Sequence, residues 1–106
     1  MNEKLTKILA ELRSYLQELY GERLAQVVLY GSQARGDAES DSDIDVLVIL
    51  QSSVDYVDEI ERTSEFISAL CLKYAVLISC AFVSTERFQH VNSPFFLNVR
   101  REGIQV

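Results

Sequence analysis

Two aspartates one residue apart, Asp43 and Asp45, open an apolar run, Val46-Leu47-Val48-Ile49-Leu50. Upstream, a Gly-Ser pair, Gly31-Ser32, closes another apolar run, Val27-Val28-Leu29-Tyr30. Residues i and i+2 of a strand point to the same face, so the two carboxylates project side by side with Cα atoms roughly 6.5–7 Å apart. Like charges at that spacing raise each other's pKa unless a cation lies between them. A hard divalent ion suits them, and Mg²⁺ characteristically takes one or two carboxylates together with substrate phosphates. Gly31 admits close approach of a ligand to the backbone, and N–H groups in such a turn cradle phosphate oxygens. The Ser32 hydroxyl adds a donor. The pattern therefore points to phosphates at Gly31 and Ser32 and a metal at Asp43 and Asp45. Each half alone has a plainer reading, a turn for Gly-Ser and a solvated strand start for Asp-x-Asp; the combination is much rarer.

These residues need elements to hold them. Val28 to Leu50 reads as strand, polar turn, strand, with the first strand at 26–30 and the second at 43–50. Beyond Asp45 the second strand is apolar on both faces, the mark of an interior strand covered on both sides. Such a strand holds catalytic carboxylates rigidly. Between the strands, 33–36 suits a helical turn. Asp37, Glu39 and Asp41 read as solvated loop charges. Upstream, Leu5, Ile8, Leu9, Leu12, Leu16 and Leu19 form one helical stripe over 2–20, with Asn2 as N-cap and Gly21 as stop. Downstream, Ser52-Ser53 is expected to cap a helix over 54–73, with Val57, Ile60, Ile67, Leu70, Cys71 and Tyr74 inward. Asp58, Glu59, Glu61, Arg62 and Glu65 are expected outward. A third strand follows at 76–83, then a helical turn at 86–89. Ser93-Pro94 starts a last helix carrying Phe95, Phe96 and Val99 and ending at Gly103, and Ile104-Gln105-Val106 is expected as an edge strand.

Gly31-Ser32-Gln33-Ala34-Arg35-Gly36, followed by Ser42-Asp43-Ile44-Asp45, resembles the signature of the minimal nucleotidyltransferases, small members of the DNA polymerase β-like superfamily. The resemblance implies an α/β (α+β) fold, a small mixed sheet with flanking helices, in one domain over 1–106. It implies nucleotidyl transfer from a Mg²⁺-bound nucleoside triphosphate, with ATP as substrate. Gly31 and Ser32 match the positions that hold the triphosphate, and Asp43 and Asp45 those that hold metal and act catalytically. Arg35 matches a basic position that assists with phosphates or shapes the loop. One departure stands out: the family commonly places a third carboxylate on the third strand, and no Asp or Glu occurs between Glu65 and Glu86. Ser79 is the clearly polar residue there, and Glu86 lies past the strand's end. The missing carboxylate would have to come from Glu86 or from a partner chain.

Composition narrows the partners. The chain has 106 residues, 48% hydrophobic and 25% charged, with a formal net charge of −6. An acidic balance argues against direct nucleic-acid binding, which calls for a basic patch. The amphipathic, charged N-terminus is unlike a signal peptide, and no apolar run approaches membrane-spanning length, so a cytoplasmic location is expected. Cys71 and Cys80 lack metal-ligand spacing and read as small apolar fillers. His90 reads as a boundary residue.

Standalone members of the family are often paired with a helical HEPN-domain toxin. The resemblance thus implies an antitoxin that neutralises its toxin by adenylylating a hydroxyl, a tyrosine by preference. Two alternatives stand beside it. One is an antitoxin of weak or lost activity that acts by direct binding; the other is a dimeric small-molecule nucleotidyltransferase, for an aminoglycoside for example.

Overall fold

The computed structural model describes residues 2–37 and 43–106. The chain runs α1 (Glu3–Tyr20), a 3-10 turn (Gly21–Arg23), β1 (Leu24–Tyr30), α2 (Ser32–Arg35), β2 (Ile44–Leu50) and α3 (Tyr56–Tyr74), followed by β3 (Ile78–Ser84), α4 (Thr85–His90), α5 (Pro94–Glu102) and β4 (Ile104–Gln105). The expected Glu39, Asp41 and Ser42 of the acidic loop lie outside the described residues.

The strands form one mixed sheet in the order β3-β2-β1-β4. β1 and β2 are antiparallel, and their register sets Tyr30 opposite Asp45 and Val28 opposite Leu47. β2 and β3 are parallel, which requires the long crossover that α3 supplies. β4 closes the other side of β1, antiparallel, at Val28 and Leu29.

Alternation along β2 feeds two cores. Ile44, Val46, Val48 and Leu50 join Leu5, Ile8, Leu9, Leu12 and Leu16 of α1 on one face. Leu47 and Ile49 join Phe96 and Val99 of α5 on the other. Burial from both sides is what the unbroken apolar run anticipates. Burying a leucine such as Leu12 or Leu16, both fully enclosed, is worth about 2–5 kcal/mol against alanine.

Helix ends follow side-chain chemistry. Asn2 accepts from the Leu5 N–H at 2.7 Å, and the Gly21 N–H returns to the Gln17 carbonyl. Ser93 accepts from the Phe96 N–H, with Pro94 in the first turn and Gly103 at the stop.

Several expectations are revised. β1 begins earlier, at Leu24, because the 3-10 turn delivers the chain into the sheet sooner. β3 begins later, at Ile78. α3 starts at Tyr56 and is capped by Asp55, whose carboxylate accepts from the Asp58 N–H; Ser52 instead accepts from Arg23 Nε. Leu19 is only partly buried, and Tyr20 completes the α1 stripe.

The largest revision is the rotation of α3. Its buried residues are Glu59, Thr63 and Leu70, whereas Val57 and Ile60 face outward. Glu59 turns inward because partners wait there: the Tyr20 hydroxyl donates at 2.7 Å, and Arg23 and Arg62 lie at 3.6 and 3.7 Å. A buried carboxylate so paired escapes the penalty of an orphaned charge. Among the described residues, no helix is long and apolar enough to cross a membrane.

Candidate active site

β1 ends at Tyr30, and the chain must turn at once to begin α2. Gly31 makes that turn at φ 75 and ψ −157, a backbone conformation reserved for glycine. The turn also brings Gly31 against the next strand. A Cβ at residue 31 would lie 2.7 Å from Asp45 Oδ2, so only a hydrogen fits between this backbone and that carboxylate. Ser32 follows at once, half-buried, as the first residue of α2, where backbone N–H groups lack intrahelical partners. Gly36 ends α2 in the left-handed conformation.

Asp45 is the second residue of β2 and is half-buried; Asp43 lies just before the strand and is exposed. Burial, then the neighbouring Asp43 charge, holds the Asp45 carboxyl above its ordinary value of 3.8. Among the described residues, no lysine or arginine forms an ion pair with either carboxylate. Two unneutralised carboxylates beside a bare glycine backbone match the donor set of a hard cation that shares its coordination with phosphate oxygens. The structure thus brings Gly31, Ser32 and Asp45 together, with Asp43 at the exposed rim.

The flanking register positions explain the rest. Tyr30 sits opposite Asp45 on β1 and meets Phe95 edge-on, with ring centroids 5.3 Å apart. Its hydroxyl is pushed up by burial first and by the Asp45 charge second. Tyr30 has a sequence signal beyond its apolar character, its place immediately before Gly31.

On the other side, Ser79 of β3 is the register partner of Asp45 and is exposed. It occupies the place on the third strand where a further carboxylate would face Asp45. Glu86 does not supply one. It begins beyond Ser84, which pairs with Leu50, and five residues of strand separate that level from Asp45, about 16 Å. Among the described residues, no group of three or more His, Cys, Asp or Glu could hold a metal.

Arg35 points elsewhere. Its Nε lies 3.3 Å from Asp37 and its Nη1 3.4 Å from Glu102 of α5, so it ties α2 to the last helix. Arg100 is likewise occupied, donating to the carbonyls of Phe88 and Val91 and to Asn92. His90 ends α4, exposed. Cys71 and Cys80 are free thiols, and burial pushes the Cys80 thiol up to about 12, so it is inert at neutral pH.

The family model described as "Nucleotidyltransferase domain" matches residues 9–94, a span that contains β1, α2, β2, α3 and β3. A Methanocaldococcus jannaschii chain named "putative protein adenylyltransferase" is 36% identical over 104 residues, covering 97% of this chain and 96% of that one. A solved structure described as "putative minimal nucleotidyltransferase" superposes with a TM-score of 0.60 at 25% identity, covering 100% of this chain and 97% of that one. A crystal structure of a toxin–antitoxin with AMP-PNP matches with a TM-score of 0.59 at 22% identity over 99% of this chain and 72% of that one.

Proposed function

We propose that this chain, which belongs to the nucleotidyltransferase domain family, transfers AMP from ATP to a hydroxyl on a partner protein and is the antitoxin of a toxin–antitoxin pair. The observation that carries the reading is the contact of the Gly31 backbone with the Asp45 carboxylate. It supports a reading in which the Gly31-Ser32 turn takes the phosphate oxygens of a nucleotide whose metal lies at the adjoining acidic strand end. The protein adenylyltransferase name of the Methanocaldococcus jannaschii relative supports the choice of AMP and of a protein acceptor. The toxin–antitoxin structure with AMP-PNP, alike in fold, supports the biological setting; the choice of a HEPN-domain toxin as partner rests on the motif resemblance of residues 31–45 alone.

In this reading Gly31 and Ser32 orient the triphosphate through backbone N–H groups and the serine hydroxyl. Asp43 and Asp45 would hold Mg²⁺, which when bound would supply charge neutralisation at the α-phosphate and the departing pyrophosphate. β2, buried on both faces, keeps Asp45 from moving as charge develops. The acceptor oxygen forms a bond to the α-phosphorus, the bond to the pyrophosphate oxygen breaks, and the acceptor proton passes to solvent. The protein's share is positioning and electrostatics.

Ser79 favours a second reading. Ser79, the register partner of Asp45, brings no charge to the site; a metal held by Asp43 and Asp45 alone would bind more weakly, and the chain would then neutralise its toxin by contact. One experiment separates the two. The protein is incubated with Mg²⁺, α-labelled ATP and the candidate toxin, and intact masses are read on both chains. AMP added to the toxin, and lost in the Asp43→Asn/Asp45→Asn double variant, establishes the enzymatic antitoxin. A stable complex with no transfer sinks it and leaves neutralisation by contact.

A further inference from the structure

β3 is the outer strand of the sheet, and among the described residues nothing pairs with its far edge. The Ile44 N–H donates to the Leu77 carbonyl at 2.9 Å, which sets the phase of the parallel ladder. Ser79, Ala81 and Val83 therefore direct their backbone polar groups to β2, and Ile78, Cys80 and Phe82 direct theirs outward. The Ile78 N–H is already given to Cys71 Sγ at 3.4 Å, and Ser84 caps α4. Among the described residues, nothing bonds to the N–H or C=O that Cys80 and Phe82 direct to the edge. Proteins usually guard such an edge with lysine, proline or a bulge; ISCAFVS has no charge and no proline.

We propose that two copies of this chain join along β3, antiparallel about a twofold axis at Ala81, so that their sheets become one. The edge is self-complementary in that register. Cys80 meets Phe82 of the second copy and Phe82 meets Cys80, each as a hydrogen-bonded pair, which makes four backbone hydrogen bonds. Ala81 meets itself as the non-hydrogen-bonded pair between them, the closest cross-strand approach and one that suits a small side chain.

α3 agrees with this. A cleft of about 200 Å³ runs between the helix and the β3 edge, lined in part by Ile60, Ser64, Ile67, Ser68 and Cys80. The helix also bares Val57 and Leu72 beyond the cleft, 62% and 84% exposed, and Ile60 at its margin, 39% exposed. Glu61 is the charged residue on that side; Asp58, Arg62, Glu65 and Lys73 fall on the next. The twofold sets the two α3 helices side by side and antiparallel. Ser64 and Ser68 then lie near the axis, where short side chains let helices approach. The two Glu61 side chains are displaced to either side of it. Uncharged side chains, Ser64 and Ser68 with Val57 and Ile60, thus stand nearest the axis, where a symmetric contact sets each residue against its own copy. The same register sets Val83 of the second copy opposite Ser79, so each acidic site would have its open flank against the other subunit.

The proposal stands whether or not the chain is an antitoxin, and its test needs no nucleotide or toxin. Light scattering of the full chain at about 100 µM should give about 24 kDa, twice 12.1 kDa. Ser64→Arg should give the monomer mass with an unchanged far-UV CD spectrum. In a variant lacking Cys71 and Cys80, Ala81→Cys should form a disulfide-linked dimer on mild oxidation, because the paired Cα atoms stand about 4.5 Å apart. Leu77→Cys, equally near the edge but off the axis, should not. A monomer mass for the unaltered chain, or cross-linking at 77 and not at 81, overturns the proposal.

Discussion

Asp45 carries an opposition between stability and function. Its carboxyl is held above 3.8 by burial and by Asp43. The folded state therefore keeps that proton more tightly than the unfolded chain. Asp45 costs stability as pH rises from its ordinary value through the raised one, and the cost persists at neutral pH until a cation arrives. Asp45→Asn should raise the Tm by a few degrees at pH 7 in metal-free buffer, with no gain below about pH 3, while transfer activity falls by about 100-fold or more. Differential scanning calorimetry across pH, beside the label-transfer assay, checks both halves. Mg²⁺ competes with the same proton, so its affinity should weaken as pH falls through the raised value. Ser79 gives the opposite experiment. An added carboxylate at the register position beside Asp45 should tighten Mg²⁺ binding, so calorimetric titration of Ser79→Asp should show about 10-fold lower Kd. An unchanged Kd would falsify the placing of the missing ligand at Ser79.

At the scale of elements, α3 shows how a local pattern can mislead about which way a helix faces. Val57 and Ile60 look like core residues by type, and Glu59 looks like surface. The helix is turned so that Glu59 meets the Tyr20 hydroxyl and the guanidinium groups of Arg23 and Arg62. Those partners lie more than thirty residues upstream or on the following turn, and no periodicity within 56–74 reveals them. Tyr20→Phe removes the 2.7 Å hydrogen bond and leaves the buried carboxylate short of a donor. The expected loss is about 1–3 kcal/mol in urea unfolding, with activity per folded molecule unchanged. A loss within error would mean that solvent or the arginines replace the hydroxyl.

At the scale of the molecule, the C-terminus holds the far side of the sheet. β4 pairs with Val28 and Leu29, the Val106 N–H donates to the Val27 carbonyl at 2.9 Å, and Arg13 Nη1 donates to the Val106 carbonyl at 2.7 Å. Removing Ile104-Gln105-Val106 would bare the edge of β1, the strand that leads into Gly31. A lower urea midpoint, by the equivalent of about 1–3 kcal/mol, and a new tendency to aggregate are expected, read by CD and light scattering. A truncated chain as stable as the whole would show that β4 contributes nothing to holding β1.

The sequence by itself determined the order of elements, the two-faced burial of β2, the caps at Asn2 and Ser93, and the family motif from Gly31 to Asp45. Each is encoded within a few residues, by alternation, by a capping oxygen, or by a glycine where only a glycine fits. The tertiary structure alone decided that Gly31 touches Asp45, that Ser79 and not Glu86 flanks it, that Arg35 serves Glu102, and that α3 buries Glu59 and bares Val57 and Ile60. These depend on strand register and helix rotation. Both are set by contacts between residues far apart in the chain, so no stretch of sequence contains them.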